Sequence, residues 1–185
     1  AVFDMRKQGA DGNGNLEVIW YVDYSSENQL YNGEFDDDII RSGGNNSHLS
    51  YCMEYDTQPG LERSIEYGRP FVHYMPTRYL LDLYDDCDQR LAATFQTLWI
   101  ANKEGGTDYP LMHVGDTAIW ATRESTTQEQ KDWAKGRYQI IDRDVMYNAD
   151  GTLKNQKQYM AISKFADPTR ETVKEDRSTR DAFMI

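Results

Sequence analysis

Thr117-Ala118-Ile119-Trp120-Ala121-Thr122, then Thr127-Gln128-Glu129-Gln130 running on to Trp133 and Gly136, then Arg137-Tyr138-Gln139-Ile140-Ile141, is the stretch that decides the fold class. Its first six residues are β-branched, small or aromatic, the composition of a strand. Thr127 and Gln130 stand at capping-box spacing, and Gly136 offers the glycine on which helices commonly end. A helix carrying Trp133 is therefore expected between them. Arg137 to Ile141 then returns to strand character. A strand, a short helix and a strand in succession mix the two kinds of structure in one layer system.

Working outward, Ala92 to Ala101 is rich in Thr, Phe, Ile and Trp and reads as a further strand. The Gly105-Gly106 and Gly115 loops would let it pair antiparallel with Thr117 to Thr122. Upstream, Pro76-Thr77 leads into Arg78-Tyr79-Leu80-Leu81-Asp82-Leu83-Tyr84, a short helix with Thr77 as N-cap and Leu80, Leu81, Leu83 and Tyr84 as its apolar stripe. Asp85, Asp86 and Asp88 oppose the helix dipole and should stop it near Tyr84. Leu16, Val18, Trp20, Val22 and Tyr24 alternate as a strand requires. Between Ser25 and Pro70 no period is sustained, and a loop of that length is more often functional than idle. With no internal repeat and no visible boundary, residues 1–185 read as a single segment. The expected class is α+β, loop-rich, with short helices and antiparallel strands.

Both ends read as parts of helices. Val2, Phe3, Met5, Arg6 and Lys7 followed by Gly9 resemble the last turns of one. Ser178-Thr179-Arg180-Asp181 carries a start signal and is followed by Ala182, Phe183, Met184 and Ile185. So short a helix is not stable alone. The expectation is an internal piece of a larger protein with an incomplete helix at each end.

Composition narrows the function. The 185 residues hold 20 Lys+Arg against 31 Asp+Glu, a net charge of -11, which repels nucleic acid and anionic lipid surfaces. Mean hydropathy of -0.79 and 13 Gly fit a loop-rich chain. Cys52 and Cys87 form no C-x-x-C and have no companion His spacing, which argues against zinc and leaves a disulfide open. No apolar run reaches the roughly 18 to 20 residues needed to cross a bilayer.

No nucleophile elbow, phosphate loop, dinucleotide fingerprint or H-E-x-x-H motif is found. His48, His73 and His113 are scattered and read as surface or packing residues. Glycosidases need only two carboxylates, and with so many present that chemistry is neither excluded nor indicated. Asp36-Asp37-Asp38 and Asp85-Asp86 read as solvated charge. Asp11, Asn13 and Asn15 have calcium-loop spacing, but Leu16 and Val22 replace the required Gly and Glu. No catalytic residue, metal ligand or cofactor is therefore assigned. The enriched feature is aromatic surface: 13 Tyr and 4 Trp in a chain only 39% hydrophobic require some rings outside the core. Flat rings pack on the apolar face of a pyranose while nearby amides and charges bond its hydroxyls. The candidate ligand-binding residues are Tyr31, Asn45, Asn46, Tyr51, Tyr55 and Tyr67, with Tyr74 beside them.

The run Tyr67-Gly68-Arg69-Pro70-Phe71-Val72-His73-Tyr74-Met75-Pro76-Thr77-Arg78-Tyr79-Leu80-Leu81-Asp82-Leu83-Tyr84-Asp85, with Asp88-Gln89-Arg90, resembles the SusD/RagB family of surface glycan-binding lipoproteins. Glu17 to Trp20 is similar to that family's early strand, Ser163-Lys164-Phe165-Ala166-Asp167-Pro168 to its Lys-Phe-x-Asp-Pro element, and Ser178 to Ile185 to the start of its next repeat helix. The resemblance implies a parent protein mainly α in class, with TPR-like helical repeats, and a non-enzymatic function. That function would be capture of oligosaccharides at the outer face of the outer membrane for a SusC-like TonB-dependent transporter. Membrane attachment would be only through a lipid anchor absent from this piece. The motif residues themselves read as structural, Asp88 and Arg90 as a charge pair fixing the turn after the short helix. The alternatives are an interaction module that closes on the transporter without touching sugar, and a glycoside hydrolase.

Overall fold

The computed structural model describes residues 20–22, 47–164, 166, 168 and 182–184. In chain order its elements are β1 (Trp20–Val22), α1 (Ser47–Ser50), a 3-10 turn (Tyr55–Thr57), α2 (Arg78–Asp82), α3 (Arg90–Thr94) and β2 (Leu98–Ile100). There follow β3 (Thr117–Ala121), α4 (Gln128–Ala134), β4 (Gln139–Ile141), α5 (Arg143–Met146) and β5 (Ala182–Met184). The class is α+β and loop-rich, with every helix among the described residues short.

The chain divides into two compact units, one of Ala1–Leu49, Ser64–Arg69 and Lys164–Ile185, the other of Ser50–Arg63 and Pro70–Ser163. The second unit interrupts the first twice. A division of that kind has no linker to read in the sequence, which is why residues 1–185 look like a single segment.

In the first unit β1 pairs antiparallel with β5, with Trp20 opposite Met184 and Val22 opposite Ala182. Of the strand expected over Leu16 to Tyr24, Trp20–Val22 is described and is strand. Ala182–Met184 corrects the expected helix start: the residues after Ser178-Thr179-Arg180-Asp181 are extended. The start signal is local, whereas pairing with a strand some 160 positions away overrides such preferences (Val22 with Ala182). The Ala1 to Gly9 helix end and the calcium-like run at Asp11 lie outside the described residues.

The second unit is built on the sheet β2-β3-β4. β2 and β3 pair antiparallel, with Leu98 opposite Trp120 and Trp99 opposite Ile119. β3 and β4 pair parallel, Trp120 opposite Ile140, so the sheet is mixed and not antiparallel throughout. A parallel neighbour needs a crossover, and α4 supplies it. Its start is a complete capping box, Thr127 Oγ1 accepting from Gln130 N while Gln130 Oε1 accepts from Thr127 N. Gly136, at φ 74°, turns the chain after it toward β4.

The expected strand at Ala92 to Ala101 is shorter than its composition indicates. Arg90–Thr94 is helical, Phe95 bridges singly to Ile162, and only Leu98–Ile100 is strand. Asp88 explains the helical start, since its carboxylate accepts from the backbone N and the guanidinium of Arg90 at 2.6 to 3.1 Å. That pairing, foremost the side-chain bond, holds the Asp88 carboxyl down to about 2. In α2 the cap is as read, Thr77 Oγ1 accepting from Leu80 N. The stripe is only half so: Leu81 is buried and Tyr84 half-buried, but Leu80 and Leu83 are exposed. Arg123 closes the end of α2 by donating to the carbonyls of Leu81 and Tyr84 and to Asp86.

The core of this unit gathers Trp99, Tyr55, Ile119, Ile141, Met146 and Tyr159. Tyr55 stacks on Trp99 at 5.1 Å between ring centroids. Gly60 is required where the core meets the loop, because its φ is +73° and a Cβ there would collide with Met112 Sδ. Cys52, buried, and Cys87, exposed, are free thiols.

Candidate functional site

Strand parity sets up the floor of a groove. In β2 Trp99 faces the core, so Leu98 and Ile100 face out. Register carries that outer row across the sheet from Leu98 to Trp120 to Ile140. Leu98, Thr117 and Trp120 line an open groove of about 840 Å³ together with Trp133 and Tyr138. Trp133 is 64% exposed even though it belongs to a regular helix. The Arg137 guanidinium lies 4.6 Å from its ring centroid and donates through Nε to the Trp133 carbonyl, which fixes the indole beside the groove.

Polar groups come from α4. Glu129, Gln130 and Asp132 also line the groove. Rings beside carboxylates and an amide can stack on a pyranose and bond its hydroxyls.

The residues expected from the sequence fall differently. Tyr31, Asn45 and Asn46 lie outside the described residues. Tyr55 is a correction: it is completely buried against Trp99 and offers no face to a ligand. Tyr67 is half-buried in the first unit, where its N–H bonds the Ser64 hydroxyl at 3.3 Å. Tyr51 is half-buried in the second unit, its ring 5.2 Å from that of exposed Tyr74. His73 stands edge-on to Tyr74 at 6.3 Å and 5.6 Å from Phe71. Between Phe71 and His73, Val72 has φ 56°, a strained conformation for a β-branched residue. The N–H groups of His73 and Tyr74 both bond the Ser50 carbonyl at 2.9 Å and hold this turn. The structure thus brings Tyr51 and Tyr74 together and removes Tyr55.

Several other tyrosines pack inward. Tyr147 donates its hydroxyl to the Pro76 carbonyl, and burial pushes its pKa up to about 12. Burial also raises that of Tyr159. His113 is exposed and pairs with Glu104 at 2.8 Å, as a surface histidine would. Among the described residues no group of three His, Cys, Asp or Glu is gathered as a metal would need.

The tryptophan groove was not among the candidates, although two signals for it exist. Trp120 has opposite parity to buried Ile119, and Trp133 stands beside only Ala134 among polar neighbours in its helix. Together, the fold and this groove define a loop-rich α+β protein with an open aromatic groove. No protein-family model and no curated protein matches the chain.

Proposed function

We propose that the protein captures oligosaccharides without cleaving them, and that the groove of Trp120, Trp133 and Tyr138 is its sugar-stacking surface. The observation that carries this reading is Trp133, a large ring left exposed beside a groove that also holds Glu129, Gln130 and Asp132. The resemblance to SusD/RagB proteins supports the same reading. On it the parent protein is a lipoprotein on the outer face of the outer membrane, delivering glycan to a SusC-like TonB-dependent transporter.

Titration of a panel of neutral and acidic oligosaccharides against the protein and its Trp133→Ala variant tests this. At least one glycan binds, and the variant weakens it by about tenfold or more, the loss expected for one stacked ring. Affinity unchanged in the variant removes the groove from the reading; no binding across the panel rejects capture. Shortened products in the same mixtures would replace capture by hydrolysis.

The exposed apolar side chains of α2 favour a second reading. Tyr79 and Leu83, four residues apart, are 74% and 58% exposed, with Leu80 beside them. They suit a surface that closes on the transporter. Co-purification that survives Trp133→Ala but is lost with Leu83→Asp supports an interaction role separate from sugar binding.

A further inference from the structure

α4 has two differently charged sides. Glu129, Asp132 and Trp133 line the tryptophan groove, whereas Lys131, Ala134 and Lys135 line a second pocket of about 560 Å³. Both sets follow the i, i+3, i+4 spacing of one helix face each. Tyr138 lines both cavities, so they adjoin at that ring.

Three of the residues lining the second pocket, Gln58, Gln139 and Gln158, carry amides. Gln58, only 7% exposed, accepts at Oε1 from Gln158 Nε2 at 3.1 Å and donates to Thr57 Oγ1. Gln158 accepts in turn from Asn155 Nδ2 at 3.0 Å. These groups are fixed before any ligand arrives. The third amide, Gln139, has a buried Oε1 that accepts no hydrogen bond among the described residues. A buried acceptor in that condition is costly.

Charge indicates which sugar. Lys131 Nζ lies 3.3 Å from Asp142, a carboxylate already engaged by Thr126 and Val145. Lys135 is exposed and enters no ion pair among the described residues. Asp108 is the pocket's lining carboxylate, against two lysines. Burial, the larger cause, and Asp108 raise the Tyr109 pKa, keeping that hydroxyl a donor at neutral pH. Lys135 is therefore the pocket's cation with no carboxylate already on it among the described residues.

We propose that this pocket is the subsite for a uronic acid residue, its carboxylate facing Lys135, while the adjoining neutral residues cross Tyr138 and stack in the tryptophan groove. The proposal rests on the glycan reading above and adds the class of glycan. Glu129 and Asp132 repel an acidic unit from the groove, so charge also sets the direction in which the chain lies.

The test is calorimetric titration of the protein with two acidic probes, a xylo-oligosaccharide bearing one glucuronic acid and a neutral galacto-oligosaccharide bearing one galacturonic acid, each beside its carboxyl-reduced neutral form. At least one acidic probe binds about tenfold tighter than its reduced form, as expected for a charge-assisted contact. Lys135→Gln brings that ratio close to one, and Trp133→Ala weakens acidic and neutral forms alike. Equal binding of acidic and reduced forms overturns the subsite while leaving capture intact. So does a preference that survives Lys135→Gln. No binding of either form, in a protein that also binds nothing in the wider panel, rejects the capture reading itself.

Discussion

Asp142 shows how one side chain holds three elements of the second unit. Its carboxylate is fully buried where β4 passes into α5, and it caps α5 by accepting from Val145 N at 3.0 Å. It also accepts from Thr126 N at 3.0 Å and from its hydroxyl, just before α4, and meets Lys131 of α4 at 3.3 Å. Burial pushes its pKa up, but the bonds from Thr126, Val145 and Lys131 together outweigh burial and hold it below the ordinary value. A carboxyl so depressed stabilises the fold fully above its unfolded value of about 4, and that stability is lost as pH falls through the folded value. Asp142→Ala should cost about 1 to 3 kcal/mol in urea unfolding at pH 7, because the Thr126 and Val145 donors lose their partner. Asp142→Asn should cost less and should flatten the decline in stability between pH 5 and pH 3; an unaltered decline assigns the pH dependence elsewhere. The residue scale is also where the sequence is least legible. Tyr55 and Trp133 are both large rings, yet the first is core and the second exposed. Composition required exposed rings without saying which, since the partner that buries Tyr55 is Trp99, 44 positions along the chain.

The elements best read from sequence are those whose ends are fixed by neighbouring residues. Thr77 and Thr127 cap α2 and α4 as their spacing indicates, because a cap bond reaches only three residues. Thr127→Ala should therefore lower stability by about 1 kcal/mol, read from the urea midpoint. Two elements differ from the sequence reading. Arg90–Thr94 has strand-like composition but becomes α3 on the local Asp88–Arg90 contact, and Ala182–Met184 follows a helix signal but pairs with distant β1. The second case can be tested directly by hydrogen exchange. Phe183→Pro removes a backbone donor from the middle of β5, so amides of Trp20–Val22 should lose protection while those of β3 keep theirs. Retained protection at Trp20–Val22 would restore the helical reading of that segment.

At the scale of the whole molecule, net charge and class were legible, because both are sums over the chain. The two-unit division and the lysine side of α4 were not, since each depends on which distant segments meet. The division yields a last prediction. Every residue assigned to the groove and the amide pocket belongs to the second unit. A ligand binding only the folded form of that unit stabilises it by about 2.7 kcal/mol at 100 times Kd, roughly a hundredfold slowing of exchange for amides that open only by unfolding it. Saturation with a bound glycan should therefore slow exchange in Leu98–Ile100, Thr117–Ala121 and Gln139–Ile141. Where the two units open independently, Trp20–Val22 of the first should exchange at its unliganded rate. Slowing at Trp20–Val22 alone, with β2, β3 and β4 unchanged, would move the binding surface to the first unit. The tyrosines proposed from sequence there, Tyr31 and Tyr67, would then replace Trp133 as the residues to mutate.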